Sequence, residues 1–140
     1  MCSSDLNRDI VLIAQVTVET TGTMLLGSEI GAALSSLSAL GVDLIGMNCA
    51  TGPAEMSEHL RTLSNSSNIG ISVMPNAGLP ILKDGGAFYP LGPIDLARAL
   101  KDFVTTYGVS LIGGCCGTTP DHLKAVVNEV RGAQIGRAHV

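Results

Sequence analysis

A parallel α/β fold built from repeated strand–helix units is the architecture this sequence predicts, on three observations. Short apolar runs rich in β-branched residues alternate with longer segments of helical periodicity, four times in succession. Polar and reactive side chains collect directly after the apolar runs: Glu19 and Thr20, Asn48 and Cys49, Asn76, then Cys115 and Cys116. No G-x-G-x-x-G follows the first run, which weakens an open dinucleotide-binding sheet against a barrel with its site at the C-terminal strand ends.

The elements follow in order. Ile10–Val18 (IVLIAQVTV) is near-continuously apolar and reads as a strand buried on both faces. Ser28–Leu40 places Ile30, Ala33, Leu34, Leu37 and Leu40 at helical spacing, with Gly41 suited to end the helix. Val42–Met47 (VDLIGM) is the next strand. Pro53–Leu63 reads as a helix with proline in its first turn, Glu55 early and Arg61 late, the order a helix dipole favours. Gly70–Met74 (GISVM) is a third strand, and Ile94–Thr106 a helix with Leu96, Ala99, Leu100 and Phe103 on one face. Val109–Gly113 (VSLIG) completes the strands. Thr119–Arg131 is the last helix, entered through TTPDH and ended by Gly132. The expectation is parallel strands in sequence order with helices on one side only.

Length sets how much of a barrel is present. A (β/α)8 barrel needs about 250 residues, and the chain has 140. The prediction is therefore a TIM (β/α)8 barrel truncated to about its last four β/α units. A net charge of −4 offers no basic footprint for nucleic acid or an anionic membrane. The apolar runs are strand-length, far short of the roughly 20 residues a membrane span requires. No secretory signal is apparent and the cysteines are sparse, which points to a reducing, cytoplasmic setting rather than a disulfide framework.

The two ends read as foreign to the domain. IGRAHV, written as ATC GGA AGA GCA CAC GTC, has a reverse complement that reads Val/start-Met, Cys, Ser, Ser, Asp in one frame, matching the opening MCSSD. Residues 1–6 are expected to be an adapter-derived scar, and 133–140 a tail that is mostly scar. Cys2 and His139 fall in these segments. The domain proper is then 7–132, and the cysteines left are Cys49, Cys115 and Cys116.

Each of these cysteines follows a strand directly, in LIGMNC and LIGGCC. Loops after parallel strands open on one face, so three thiolates distant in sequence can converge on one ion. Zinc favours soft sulfur ligands, and three protein ligands with one open position is the catalytic pattern. Gly113 and Gly114 permit a tight turn at the strand end, and Gly117 would let the backbone pass close to the metal. Two other readings stand beside this one: free cysteines buried as small hydrophobes, and a phosphate-binding glycine loop, which the lack of Lys or Arg in GGCCGTTPD disfavours. His59 and His122 are placed on the outer helical ring, away from the ligands. Met47, Met56 and Met74 are packing residues, and Glu19 carries no assigned role.

LIGMNCATGP, MPNAGLP and LIGGCCGTTPDH, in this order and separation, resemble the homocysteine S-methyltransferase family. VTVETTGTMLLGSEIGAAL and NCATGPAEMSEHL are most similar to its cobalamin-dependent branch. The resemblance covers nearly all of 7–132 and makes the four strands the fifth to eighth of the barrel. It implies zinc held by Cys49, Cys115 and Cys116, with Asn76 close to metal and substrate and Asn48 supporting the loop. It implies homocysteine as methyl acceptor, forming methionine. Methylcobalamin and methyltetrahydrofolate would enter through folate- and cobalamin-binding domains absent from this chain. The chain alone is expected to be inactive. Alternatives are a betaine- or S-methylmethionine-type methyltransferase, or a non-catalytic zinc or thiol module.

Overall fold

The computed structural model describes residues 10–19, 29–49 and 51–134. The expected scars at 1–6 and 135–140, Thr20, and the start of the first helix at Ser28 lie outside the described residues. Ten elements follow: β1 (Ile13–Val16), α1 (Ile30–Ser38), β2 (Leu44–Asn48), α2 (Pro53–Ser66), β3 (Gly70–Met74), β4 (Ile81–Lys83), β5 (Gly86–Phe88), α3 (Pro93–Tyr107), β6 (Leu111–Ile112) and α4 (Pro120–Val130).

β1, β2, β3 and β6 form one parallel sheet in that order. α1 packs on α2, α2 on α3, and α3 on α4. Right-handed crossovers that always advance in one direction leave successive helices on the same side of the sheet. The side chains agree. Ile45, Met47, Ile71 and Val73 point into the helices and join Leu60, Leu63, Leu96, Leu100, Phe103 and Val126 in one buried cluster. Met56, Leu60 and Leu63 repeat at helical spacing along α2, and each such side chain stabilises by about 1.5–3 kcal/mol when fully buried.

The opposite face is polar at its centre. Gln15, Gly46 and Ser72 share one row of the ladder, and Gln15 Nε2 donates to Ser72 Oγ at 2.7 Å. The bond passes over Gly46, where a Cβ would come within 2.8 Å of the Ser72 Cβ and Oγ. Only glycine leaves room for that bridge.

The first strand departs from expectation. Rather than being buried on both faces, β1 is the edge of the described sheet, and Ile13 is 45% exposed. Continuous hydrophobicity marked a strand but could not say what lies beside it. β6 is shorter than its apolar run because the chain turns away at Gly113 toward the cysteines, although the Gly113 N–H still reaches Val73 O at 3.1 Å. The helices extend close to their expected limits, and Gly41, Gly108 and Gly132 take left-handed φ of 70°, 69° and 79° after α1, α3 and α4. The β4–β5 hairpin was not foreseen. Its turn, Asp84 at φ 51° and Gly85 at φ 79°, is the Asp-Gly pair that favours a type I′ hairpin. No helix among the described residues is long and apolar enough to cross a membrane.

Candidate metal centre

The loop after β3 organises the site. Its carbonyls and amides reach both neighbouring strand ends. The Cys49 N–H donates to Met74 O at 3.1 Å and the Cys115 N–H to Pro75 O at 2.8 Å. Cys116 is held twice: its N–H donates to Asn76 Oδ1 at 3.1 Å, and its carbonyl accepts from the Ala77 N–H at 2.9 Å. Asn76 N–H in turn donates to Thr51 O at 3.1 Å, tying the β2 loop to the β3 loop. This framework sets both cysteine loops at one end of the sheet.

The three sulfurs meet there. Cys49 Sγ lies 3.6 Å from Cys116 Sγ and Cys115 Sγ 3.9 Å from Cys116 Sγ. All three fall within 4.8 Å of one another. A tetrahedral zinc with bonds of about 2.3 Å separates its sulfur ligands by roughly 4 Å. The donor set, its spacing and its partial exposure therefore fit a soft divalent cation. Cys49 reaches this arrangement with a φ of 55°, a left-handed backbone that costs a non-glycine residue about 1–2 kcal/mol. Such strain persists only where surrounding structure imposes it.

Electrostatics without a cation oppose ionisation. Burial pushes the Cys115 thiol up to about 12, helped by hydrogen bonds with Cys49 and Cys116 and by their charges. A bound divalent cation reverses this, since a coordinating thiol loses its proton outright.

A fourth side chain, Tyr89, faces the cluster and was missed by sequence reasoning. Its phenol is held above its usual range, first by interaction with the Cys116 side chain, then by desolvation and the charges of the three sulfurs. Tyr89 follows the unforeseen hairpin, so the Asp84–Gly85 turn was the signal available. Its ring packs on Gly117, where φ is 77° and an added Cβ would overlap the Tyr89 Cβ and Cγ. Gly114 is equally constrained, because a Cβ there would overlap Thr118.

The remaining expected residues sort clearly. Asn76 is 3% exposed and beside the thiols. Asn48 instead accepts from Thr17 Oγ1 at 3.4 Å, joining the ends of β1 and β2. Glu19 is exposed. His59 lies within α2 and, like His122, is outside the thiol cluster. His122 is buried at 8% exposure on α4. Its Nδ1 accepts the Thr119 N–H at 3.2 Å, so the ring proton sits on Nε2 and bonds Leu91 O at 2.9 Å. Met47 and Met56 are core residues.

Fold and site together define a parallel α/β domain with a three-thiol centre at its strand ends, suited to a soft cation. The family model described as homocysteine S-methyltransferase matches residues 2–130, and the chain belongs to that family. It is 65% identical over 123 residues to methionine synthase of Mycobacterium leprae (strain TN), and equally to methionine synthase of Mycobacterium tuberculosis (strain ATCC 25618 / H37Rv). In both, the match covers 88% of this chain and 10% of the relative, so the chain spans about a tenth of the length of these curated relatives.

Proposed function

We propose that this chain is the zinc-binding half of a homocysteine-activating (β/α)8 barrel, contributing its fifth to eighth strands at 7–132, in a methionine synthase-like methyltransferase. The observation that carries this reading is the convergence of Cys49 and Cys116, 67 residues apart, with Cys115 in one cluster of thiols. Cys49, Cys115 and Cys116 would hold zinc. When bound, zinc supplies Lewis acidity at an open position, lowering the pKa of an incoming thiol below its free value of about 8.5.

The chain's own contribution is positional. The β3 loop holds both cysteine loops by backbone hydrogen bonds, so little reorganisation accompanies binding. Three closely spaced sulfurs make an electron-rich surrounding, which keeps a homocysteine sulfur nucleophilic for the new S–CH3 bond of methionine. Asn76 is assigned to the substrate side through its amide nitrogen, because its oxygen already accepts from Cys116. In this reading the methyl group comes from methylcobalamin charged by methyltetrahydrofolate, both on folate- and cobalamin-binding domains outside the chain, in the cytoplasm. The similarity to two methionine synthases supports that donor over betaine or S-methylmethionine.

The test is Cys49→Ser in an intact enzyme carrying this segment. Bound zinc, measured by elemental analysis, and methyl transfer to homocysteine should be lost together. Full zinc occupancy with lost activity would assign Cys49 a nucleophilic or substrate-binding role and overturn the reading.

A further inference from the structure

We propose that His122 is a positioning residue of the thiol centre: its neutral ring closes a circuit of hydrogen bonds that fixes the loop carrying Cys116. The inference rests on the zinc reading above and concerns a residue that contributes no metal bond in it.

The circuit can be followed bond by bond. His122 Nε2 donates to Leu91 O at 2.9 Å. The Leu91 N–H donates to Ala77 O at 2.9 Å, and the Ala77 N–H donates to the Cys116 carbonyl, also at 2.9 Å. On its other side the ring meets Thr119, whose N–H nitrogen lies 3.2 Å and whose hydroxyl oxygen 2.8 Å from Nδ1. Only residues 117 and 118 separate Thr119 from Cys116, and the Thr118 N–H donates back to Cys115 O at 3.2 Å. The segment from Cys116 to Thr119 is thus held at one end by Ala77 and at the other by His122. Both holds lead to the same strap, Ala77 paired with Leu91. The pairing is close, since a Cβ added at Gly78 would come within 3.1 Å of the Leu91 Cβ.

The choice of side chain fits this double duty. His122 occupies the third position of α4 in a capping box with Thr119, a place commonly filled by Glu or Gln. A carboxylate there would accept the Thr119 N–H but offer Leu91 O no proton. Neutral imidazole serves both partners, with an acceptor at one nitrogen and a donor at the other. The ring is buried, which limits the water that could take its place at Leu91 O. Cys116 is instead the most exposed of the three cysteines, so the position of its sulfur depends on how firmly its main chain is held.

The experiment compares His122→Asn with His122→Gln in an intact enzyme carrying this segment. Asparagine can still accept from Thr119 but is too short to reach Leu91 O, whereas glutamine is long enough to serve both. Peptide-resolved hydrogen exchange over 77–91 is measured on metal-free protein, and zinc affinity by chelator competition. His122→Asn should speed exchange at Ala77 and Leu91 and weaken zinc binding about tenfold, the lower end for groups that support metal ligands from outside. His122→Gln should restore both. A role limited to capping α4 would leave both readouts unmoved in His122→Asn, and either one unmoved overturns the proposal. A glutamine variant no better than the asparagine one overturns it too. Should His122→Asn fail to fold, His122→Met, which fills the space and loses both bonds, takes its place with the same outcomes. If the unaltered enzyme binds no zinc, or Cys49→Ser binds it equally well, the zinc reading fails and takes this inference with it.

Discussion

Asn76 Oδ1 accepts the backbone N–H of Cys116 at 3.1 Å, so a side chain from one strand-end loop fixes the cysteine of the next. The bond acts on the main chain and sets where the sulfur can stand. Asn76 is buried at 3% exposure, and its loss leaves a donor unpaired at the edge of the site.

Asn76→Ala is therefore expected to destabilise the protein by about 0.5–1.5 kcal/mol, the net worth of a hydrogen bond whose remaining donor, the N–H of exposed Cys116, water can reach. Chemical denaturation checks the stability. Chelator competition should show weaker zinc binding as well, because Cys116 is no longer held toward its neighbours.

Gly117→Ala should be more damaging than an ordinary surface substitution, because φ is 77° and the new methyl overlaps Tyr89. Adding Tyr89→Gly, which removes both the Cβ and the Cγ that the methyl would meet, should relieve the overlap and leave the backbone cost of about 1 kcal/mol. Thermal melts of the two single variants and the double variant separate these contributions. Additive losses would show that the two residues do not press on each other.

Cys49 offers a test of strain at a proposed ligand position, since its φ is 55°. Cys49→Gly and Cys49→Ala both remove the sulfur, but only glycine adopts this backbone freely. In metal-free protein the glycine variant should be the more stable of the two by about 1 kcal/mol. Equal stabilities would mean the left-handed backbone costs nothing here.

If the three thiols hold zinc as proposed, proton release should govern metal uptake. Cys115 sits at about 12 against an ordinary 9.0, so a cation must displace its proton near neutral pH. Zinc affinity should rise with pH, with at least one proton released per metal bound, as read in a weakly buffered titration. The sign for the metal-free fold is opposite. A raised thiol pKa contributes stability that is fully present below about 9 and lost as pH rises toward 12. Denaturation midpoints across that range should fall.

The amino-acid pattern alone determined the alternation of strands and helices, the parallel sheet and the position of three cysteines directly after strands. Those signals are local: β-branched runs, helical spacing at Met56, Leu60 and Leu63, and glycines in left-handed φ after α1, α3 and α4. The Asp84–Gly85 turn is an equally local signal, the Asp-Gly pair of a two-residue hairpin. Tertiary structure alone decided the rest. Nothing in Ile10–Val18 states that β1 is the sheet edge, because hydrophobicity records burial without recording neighbours. Nothing near Tyr89 shows that its ring lies against Gly117, beside Cys116, since that contact needs a hairpin, the Leu91 anchor and the open space at Gly117 together. The sulfurs of Cys49 and Cys116 lie 3.6 Å apart across 67 residues, a closeness created by parallel strands ending on one rim, which no stretch of chain encodes by itself.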